Sequence, residues 1–159
     1  MNIGIILYSE TGNTLAVAQR VADTLQAAGH TAEIRQVTIL SRDKADAPVV
    51  LKTAPTVEGF DLLIFAAPVQ AFSLCRAMTQ YLKQLKTVPS VPIGCYVTQG
   101  LPKKWMGGNR AYNTMRSLLM SHGAMEPVRL GHVHWKSSER EEQIAQLVSA
   151  TAKFAATAQ

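Results

Sequence analysis

Six consecutive residues near the amino terminus, Ser9-Glu10-Thr11-Gly12-Asn13-Thr14, place three hydroxyls, a carboxamide and a glycine between two patterned runs. Before them lies the apolar run Ile3 to Tyr8, and after them an amphipathic run that starts at Leu15. A strand entering a helix through such a turn leaves the helix's first backbone N–H groups unpaired and directed outward, and the hydroxyls beside them add donors. The chemistry this suits is the binding of a phosphate. No Lys or Arg falls between Met1 and Gln19, so the grip comes from dipoles and hydroxyls rather than from a counter-charge. The loop lacks the Lys of a triphosphate-binding P-loop and the three glycines of a dinucleotide fingerprint. An ordinary N-capping turn uses the same residue types.

The other reactive residues suggest little chemistry of their own. Cys75 and Cys95 stand far apart with no CxxC and no clustered His, which suits two reduced, buried thiols rather than a disulfide framework or a zinc or iron-sulfur site. His30 and His122 each adjoin a glycine that ends a helix, where a cation suits the carbonyl end of the dipole. His132 and His134 share one face of the last strand, with Trp135 on the other, and no third metal ligand is near in sequence. Neither Gly-x-Ser-x-Gly nor a cysteine with a matched base occurs, so no nucleophile and no metal is expected.

Positioning the phosphate turn requires an alternation of strand and helix, and the chain supplies it. Leu15, Ala18, Ala22 and Leu25 recur at helical spacing, ended by Gly29, and Thr31 to Val37 reads as an edge strand. Ser41-Arg42-Asp43 would open a short second helix, limited by Pro48 and Pro55. Phe60 to Ala67 is continuously apolar, as a strand covered on both faces should be. Leu74, Ala77, Met78, Tyr81, Leu82 and Leu85 form a helical stripe; Val91 to Thr98 reads as a strand and Asn109 to His122 as a helix. Val128 to Trp135 is the fifth strand, and Ser138 with Glu141 spells a capping box for a last helix facing the sheet through Ile144, Leu147, Val148 and Phe154.

Five strand-helix pairs in 159 residues imply an α/β fold: a parallel sheet with right-handed crossovers and helices on both faces. Ligands of such sheets bind beyond the carboxyl ends of the strands, where strand order reverses. The turns after Tyr8, Ala67 and Thr98 therefore converge on one crevice. No apolar run is long enough to cross a membrane, and the chain enters a strand pattern at once, so a single cytoplasmic domain over 1–159 is expected.

At these three turns the chain resembles the flavodoxin family, over nearly its whole length. The first loop is similar to the flavodoxin phosphate loop for FMN. The segment Asp61 to Ser73, with Pro68 ending a hydrophobic strand, is similar to the loop that packs on the flavin. The segments Thr98 to Pro102 and Trp105 to Asn109 look like the loop lining the ring's other side. The likeness is to short-chain members, including flavodoxin-like domains fused to ferredoxin modules, and the extra loop of long-chain flavodoxins is missing. The resemblance implies a flavodoxin-like three-layer sandwich with a five-stranded parallel sheet in the order 2-1-3-4-5, and FMN as a non-covalent cofactor. It implies that Ser9, Thr11, Gly12, Asn13 and Thr14 hold the phosphate, with Glu10 lending its backbone N–H. Pro68, Val69, Gln70, Ala71 and Phe72 would pack beside the ring. Thr98, Gln99 and Gly100 would approach its pyrimidine edge, with Trp105, Gly107, Gly108 and Asn109 completing the site. The stacking aromatic such proteins carry is here either Phe72 or Trp105.

Charge departs from the usual acidic electron carrier. The formal net charge is +5, and no acidic residue lies between Asp61 and Glu126, whereas Arg76, Lys83, Lys86, Lys103, Lys104, Arg110 and Arg116 do. A positive field beside the third loop would favour an anionic reduced flavin and an acidic redox partner, or attract NAD(P)H. No nucleic-acid-binding module accompanies the basic charge. The expected flavoprotein is an electron carrier between redox partner proteins. The alternative is an FMN-dependent oxidoreductase passing electrons from NAD(P)H to quinone or another small acceptor, which would bleach its own flavin on addition of NAD(P)H.

Overall fold

The computed structural model describes residues 1–40 and 47–159. Five strands form the body of one parallel sheet: β1 (Asn2–Leu7), β2 (Thr31–Gln36), β5 (Leu62–Gln70), β7 (Ile93–Gln99) and β8 (Val128–His134). Their spatial order is β2-β1-β5-β7-β8, the expected 2-1-3-4-5, and neighbours along it run parallel. Two strands, β3 (Thr38–Ile39) and β4 (Leu51–Thr53), pair separately, and β6 (Ser73–Leu74) folds back on β5.

The apolar strands owe their composition to two-sided burial. In β5, Leu62, Ile64 and Ala66 enter one core while Leu63, Phe65 and Ala67 enter the other, because successive side chains point to opposite faces. The first core is closed by α1 (Asn13–Ala27) through Val17, Ala18, Val21, Ala22 and Leu25, and by α4 (Arg140–Thr157) through Ile144, Leu147 and Ala155. The second is closed by α2 (Arg76–Gln84) through Ala77, Met78, Tyr81 and Leu82, and by α3 (Asn109–Ser121) through Ala111, Met115 and Leu119. Phe65 has no exposed surface, so its truncation to Ala would cost about 3–5 kcal/mol.

Two local expectations change. The anticipated second helix opening at Ser41-Arg42-Asp43 lies outside the described residues, and farther along the chain Leu51–Thr53 forms β4. The third long strand continues past Ala67 to Gln70, because its partner β6 supplies antiparallel bonding that a loop would lack. The capping box at Ser138 and Glu141 is not formed. Glu139 occupies the cap position of α4 with no side-chain bond, Ser137 Oγ accepts the Glu139 N–H at 3.0 Å, and Glu141 is drawn away to Arg20 at 2.6 Å. Among the described residues, no helix is long and apolar enough to cross a membrane.

Candidate functional site

The carboxyl ends of β1, β5 and β7 bring their three following turns to one cleft, lined by Glu10, Thr11, Asn13, Thr14, Pro68, Val69, Gln70, Thr98, Gln99, Gly100 and Trp135, with a volume of about 150 Å³. A larger hollow of about 240 Å³ lies at the opposite end of the strands, between the Ala54–Glu58 segment and the end of α2. Its lining is the more apolar of the two, and the order-reversal rule points to the cleft.

The first loop is built as its sequence dictates. Gly12 takes φ +90 and immediately precedes α1, a left-handed conformation that a side chain would strain. Ser9 Oγ accepts the Leu15 N–H at 3.2 Å, which folds the loop over the first turn of the helix. No acidic residue lies in the helix's first turn, and the carboxylate on the cleft wall, Glu10, belongs to the loop before it. Two buried bonds fix that first turn to β7: Thr14 Oγ1 meets Thr98 Oγ1 at 2.8 Å, and Tyr96 donates its hydroxyl to the Thr14 carbonyl at 3.3 Å. The Glu10 carboxylate is turned to the carboxamide of Gln70, which donates to it, so the first and second loops are bridged across the cleft mouth.

The second loop is a hairpin whose two tip residues, Ala71 and Phe72, both have positive φ, +47 and +60. Non-glycine residues rarely adopt this conformation, and the strain is held by the β5–β6 pairing on either side. Phe72 stands 56% exposed. The third loop is tied down by side chains. Gln99 Nε2 donates to the carbonyls of Leu101 at 2.5 Å and Lys103 at 2.7 Å, and His134 Nε2 donates to that of Gly100 at 3.0 Å.

The loop then makes an irregular helical turn over Lys104–Gly108, in which Gly107 has φ +116. A Cβ on Gly107 would lie 2.6 Å from Val69 Cγ1 and 2.8 Å from Phe72 Cα, so the second and third loops touch through a bare glycine backbone. A Cβ on Gly108 would meet Gln99 Oε1 and His132 Nε2, each at 2.8 Å, two buried atoms without a hydrogen-bond partner. Asn109 accepts from Arg129 at 3.0 Å outside the cleft, and Trp105 is 74% exposed.

Of the eighteen residues singled out by sequence, the structure therefore places Glu10, Thr11, Asn13, Thr14, Pro68, Val69, Gln70, Thr98, Gln99 and Gly100 on the cleft wall. Ser9, Gly12, Gly107 and Gly108 shape the surrounding backbone, and Ala71, Phe72, Trp105 and Asn109 lie off the wall. One wall residue, Trp135, was missed. Its signal was its position immediately after the last strand, at the same carboxyl edge as the three loops.

Burial sets the charge state of two thiols and one histidine. Burial pushes the Cys75 thiol up to about 12 and raises Cys95 as well, so neither offers a thiolate. Burial, with the nearby charges of Lys104 and Arg129 and with His134, pushes His132 down to about 4, leaving it neutral. Among the described residues, no three His, Cys, Asp or Glu side chains gather to hold a metal.

A model of the flavodoxin family matches residues 5–146. Among solved structures, a flavodoxin of Streptococcus pneumonia TIGR4 is similar at TM-score 0.70 and 20% identity, with 99% of each chain covered. Flavodoxin 1 of Bacillus cereus is similar at TM-score 0.66 and 15% identity, with 98% of each covered. A flavoprotein of Lactobacillus acidophilus, solved in complex with FMN, is similar at TM-score 0.60 and 13% identity, over 89% of this chain and 97% of that one. At these identities the likeness is one of fold. No curated protein matches the chain.

Proposed function

The chain belongs to the flavodoxin family, and from that premise we propose that it binds FMN non-covalently in the three-loop cleft and passes electrons between redox partner proteins. The observation that carries the reading is the donor set on the cleft wall. Thr11 and Asn13 bring a hydroxyl and a carboxamide to the amino end of α1, beside Gly12 and the helix's first backbone N–H groups, and face a wall of Gln70, Thr98 and Gln99, a set suited to a phosphate and a polyol. The cleft, about 150 Å³ and open to one side, would receive part of a nucleotide rather than enclose it whole.

In this reading the first loop, Ser9 to Thr14, receives the phosphate through backbone N–H groups and hydroxyls. Pro68, Val69 and Gln70 flank the ring, and Thr98, Gln99 and Gly100 meet its edge with an orientation set by the Gln99 and His134 bonds. Bound FMN supplies the reversible uptake of electrons. The protein holds it, limits water around it and presents it to a partner. Lys103, Lys104 and Arg110, all exposed beside the third loop, give that face a positive field that fits a partner with an acidic docking surface.

The test is the visible spectrum of the purified protein and a calorimetric titration of the apoprotein with FMN. A yellow protein that releases FMN on denaturation, or tight one-to-one binding, supports the reading. A colourless protein that takes up no FMN overturns it.

A further inference from the structure

Three aromatic residues stand near the cleft, and the two expected to touch a flavin, Phe72 and Trp105, are the exposed ones that do not line it. Trp135 does. It lies one residue beyond the end of β8 and is tethered on three sides. Its backbone N–H donates to the Gln99 carbonyl at 2.8 Å, its carbonyl accepts from Arg140 at 3.2 Å, and the Arg140 guanidinium sits over its indole, 4.8 Å from the ring centroid.

Arg140 is half-buried at the start of α4. Its Nε is buried without a hydrogen-bond partner and only 3.6 Å from Glu141, a carboxylate that bonds more closely to Arg20. Its charge is therefore incompletely answered and lies one ring from the cleft. The first loop has no cation of its own, so this is a positive charge that the fold brings from more than a hundred residues along the chain.

We infer that Trp135 is the aromatic wall of the cofactor cleft and that the guanidinium of Arg140, stacked on its indole, lends charge to the phosphate side. This rests on the FMN-binding reading. Two bonds fix the backbone that carries the indole and one contact lies on the ring itself, so the side chain has little freedom left to lose when a ligand packs on it and contact area converts to affinity with small entropic loss. The guanidinium behind it is attracted to the ring face and acts on an anion at a distance that salt screens. The two residues thus make separable contributions: the ring acts on any flavin, and the charge acts on the phosphorylated form.

The experiment titrates wild type, Trp135→Leu, Trp135→Phe and Arg140→Met apoproteins with FMN and with riboflavin at low and high salt, with a thermal melt of each. Loss of the ring contact in Trp135→Leu is expected to weaken both ligands by about tenfold, while Trp135→Phe stays within about threefold of wild type. Arg140→Met is expected to weaken FMN about fivefold at low salt, leave riboflavin unchanged, and lose the difference at high salt. The inference is overturned if Trp135→Leu binds both ligands as wild type does, or if Arg140→Met weakens riboflavin as much as FMN. Should Trp135→Leu fail to fold, Trp135→Phe and the ligand split of Arg140→Met decide the matter. If wild type itself takes up no FMN, the functional reading falls and this inference with it, whereas wild-type binding with indifferent variants removes the inference alone.

Discussion

The hydroxyls of Thr14 and Thr98 meet at 2.8 Å across 84 residues of sequence, and both residues are almost wholly buried. This bond joins the first turn of α1, after the first loop, to the end of β7, where the third loop begins. Replacing either Thr by Val leaves the other hydroxyl without this partner in a dry site, at a cost of about 1–3 kcal/mol. The double variant removes both hydroxyls and is expected to lose less than the sum of the singles. Urea denaturation of the four proteins checks it; strictly additive losses would show that the two groups do not depend on each other. The same variants should weaken FMN binding, since the first and third loops would lose their direct link.

Gly107 makes the second prediction. Its φ of +116 and the 2.6–2.8 Å clearances to Val69 and Phe72 leave no room for a methyl group, and the neighbouring atoms at 2.7 and 2.8 Å are backbone rather than a flexible side-chain tip. Gly107→Ala should strain the turn by about 1–3 kcal/mol and push the second and third loops apart. The expected result is a lower Tm together with weaker FMN binding. An Ala variant that melts and binds as wild type does would mean the two loops are not in register through this glycine.

Much of this architecture could be read in advance because its signals are local. The run Leu62 to Ala67 is apolar on both faces, which suits a covered strand, and Gly12 among hydroxyls suits a turn. What was hidden depends on tertiary context. Pro68 reads as a strand end, yet β5 runs on because β6 returns to pair with it. Ser138 and Glu141 have the spacing of a capping box, but Arg20 on a neighbouring helix outbids the backbone for Glu141. Trp135 could be placed on the face opposite His132 and His134, yet not in the cleft, because its position depends on the register of β8 against β7. That register slips by one residue where Cys95 pairs with Arg129 and Tyr96 with Gly131.

His132 gives a pH dependence. Burial first, then Lys104, Arg129 and His134, lower its pKa from 6.5 to about 4, so the folded protein resists a proton that the unfolded chain accepts. Stability from this group is fully present above pH 6.5 and is lost as the pH falls from there toward 4, with no further loss below that. His132→Gln cannot be protonated in either state. Its Tm is therefore expected to fall less steeply than wild type between pH 6.5 and 4. Parallel curves for the two proteins would show that His132 is solvated in the native state.

The charge of the rim yields the last prediction. Lys103, Lys104 and Arg110 surround the third loop, which would flank the exposed part of a bound flavin, and a field of one sign there alters encounter rates more than affinities. Small redox reagents of opposite charge can probe this without knowledge of the natural partner. Reoxidation of the reduced flavoprotein by ferricyanide should slow as salt is added, while reoxidation by a cationic cobalt complex should quicken, because screening removes attraction in one case and repulsion in the other. Reversing two charges with Lys103→Glu and Lys104→Glu should lower the ferricyanide rate at low salt by about tenfold and bring the variant and wild type together near 1 M salt, where the Debye length is about 3 Å. Neither residue lines the cleft, so the visible spectrum of the bound flavin serves as the control for an intact site. If the ferricyanide rate is insensitive to both salt and charge reversal, the basic face does not govern access to the flavin, and the case for an acidic partner is lost.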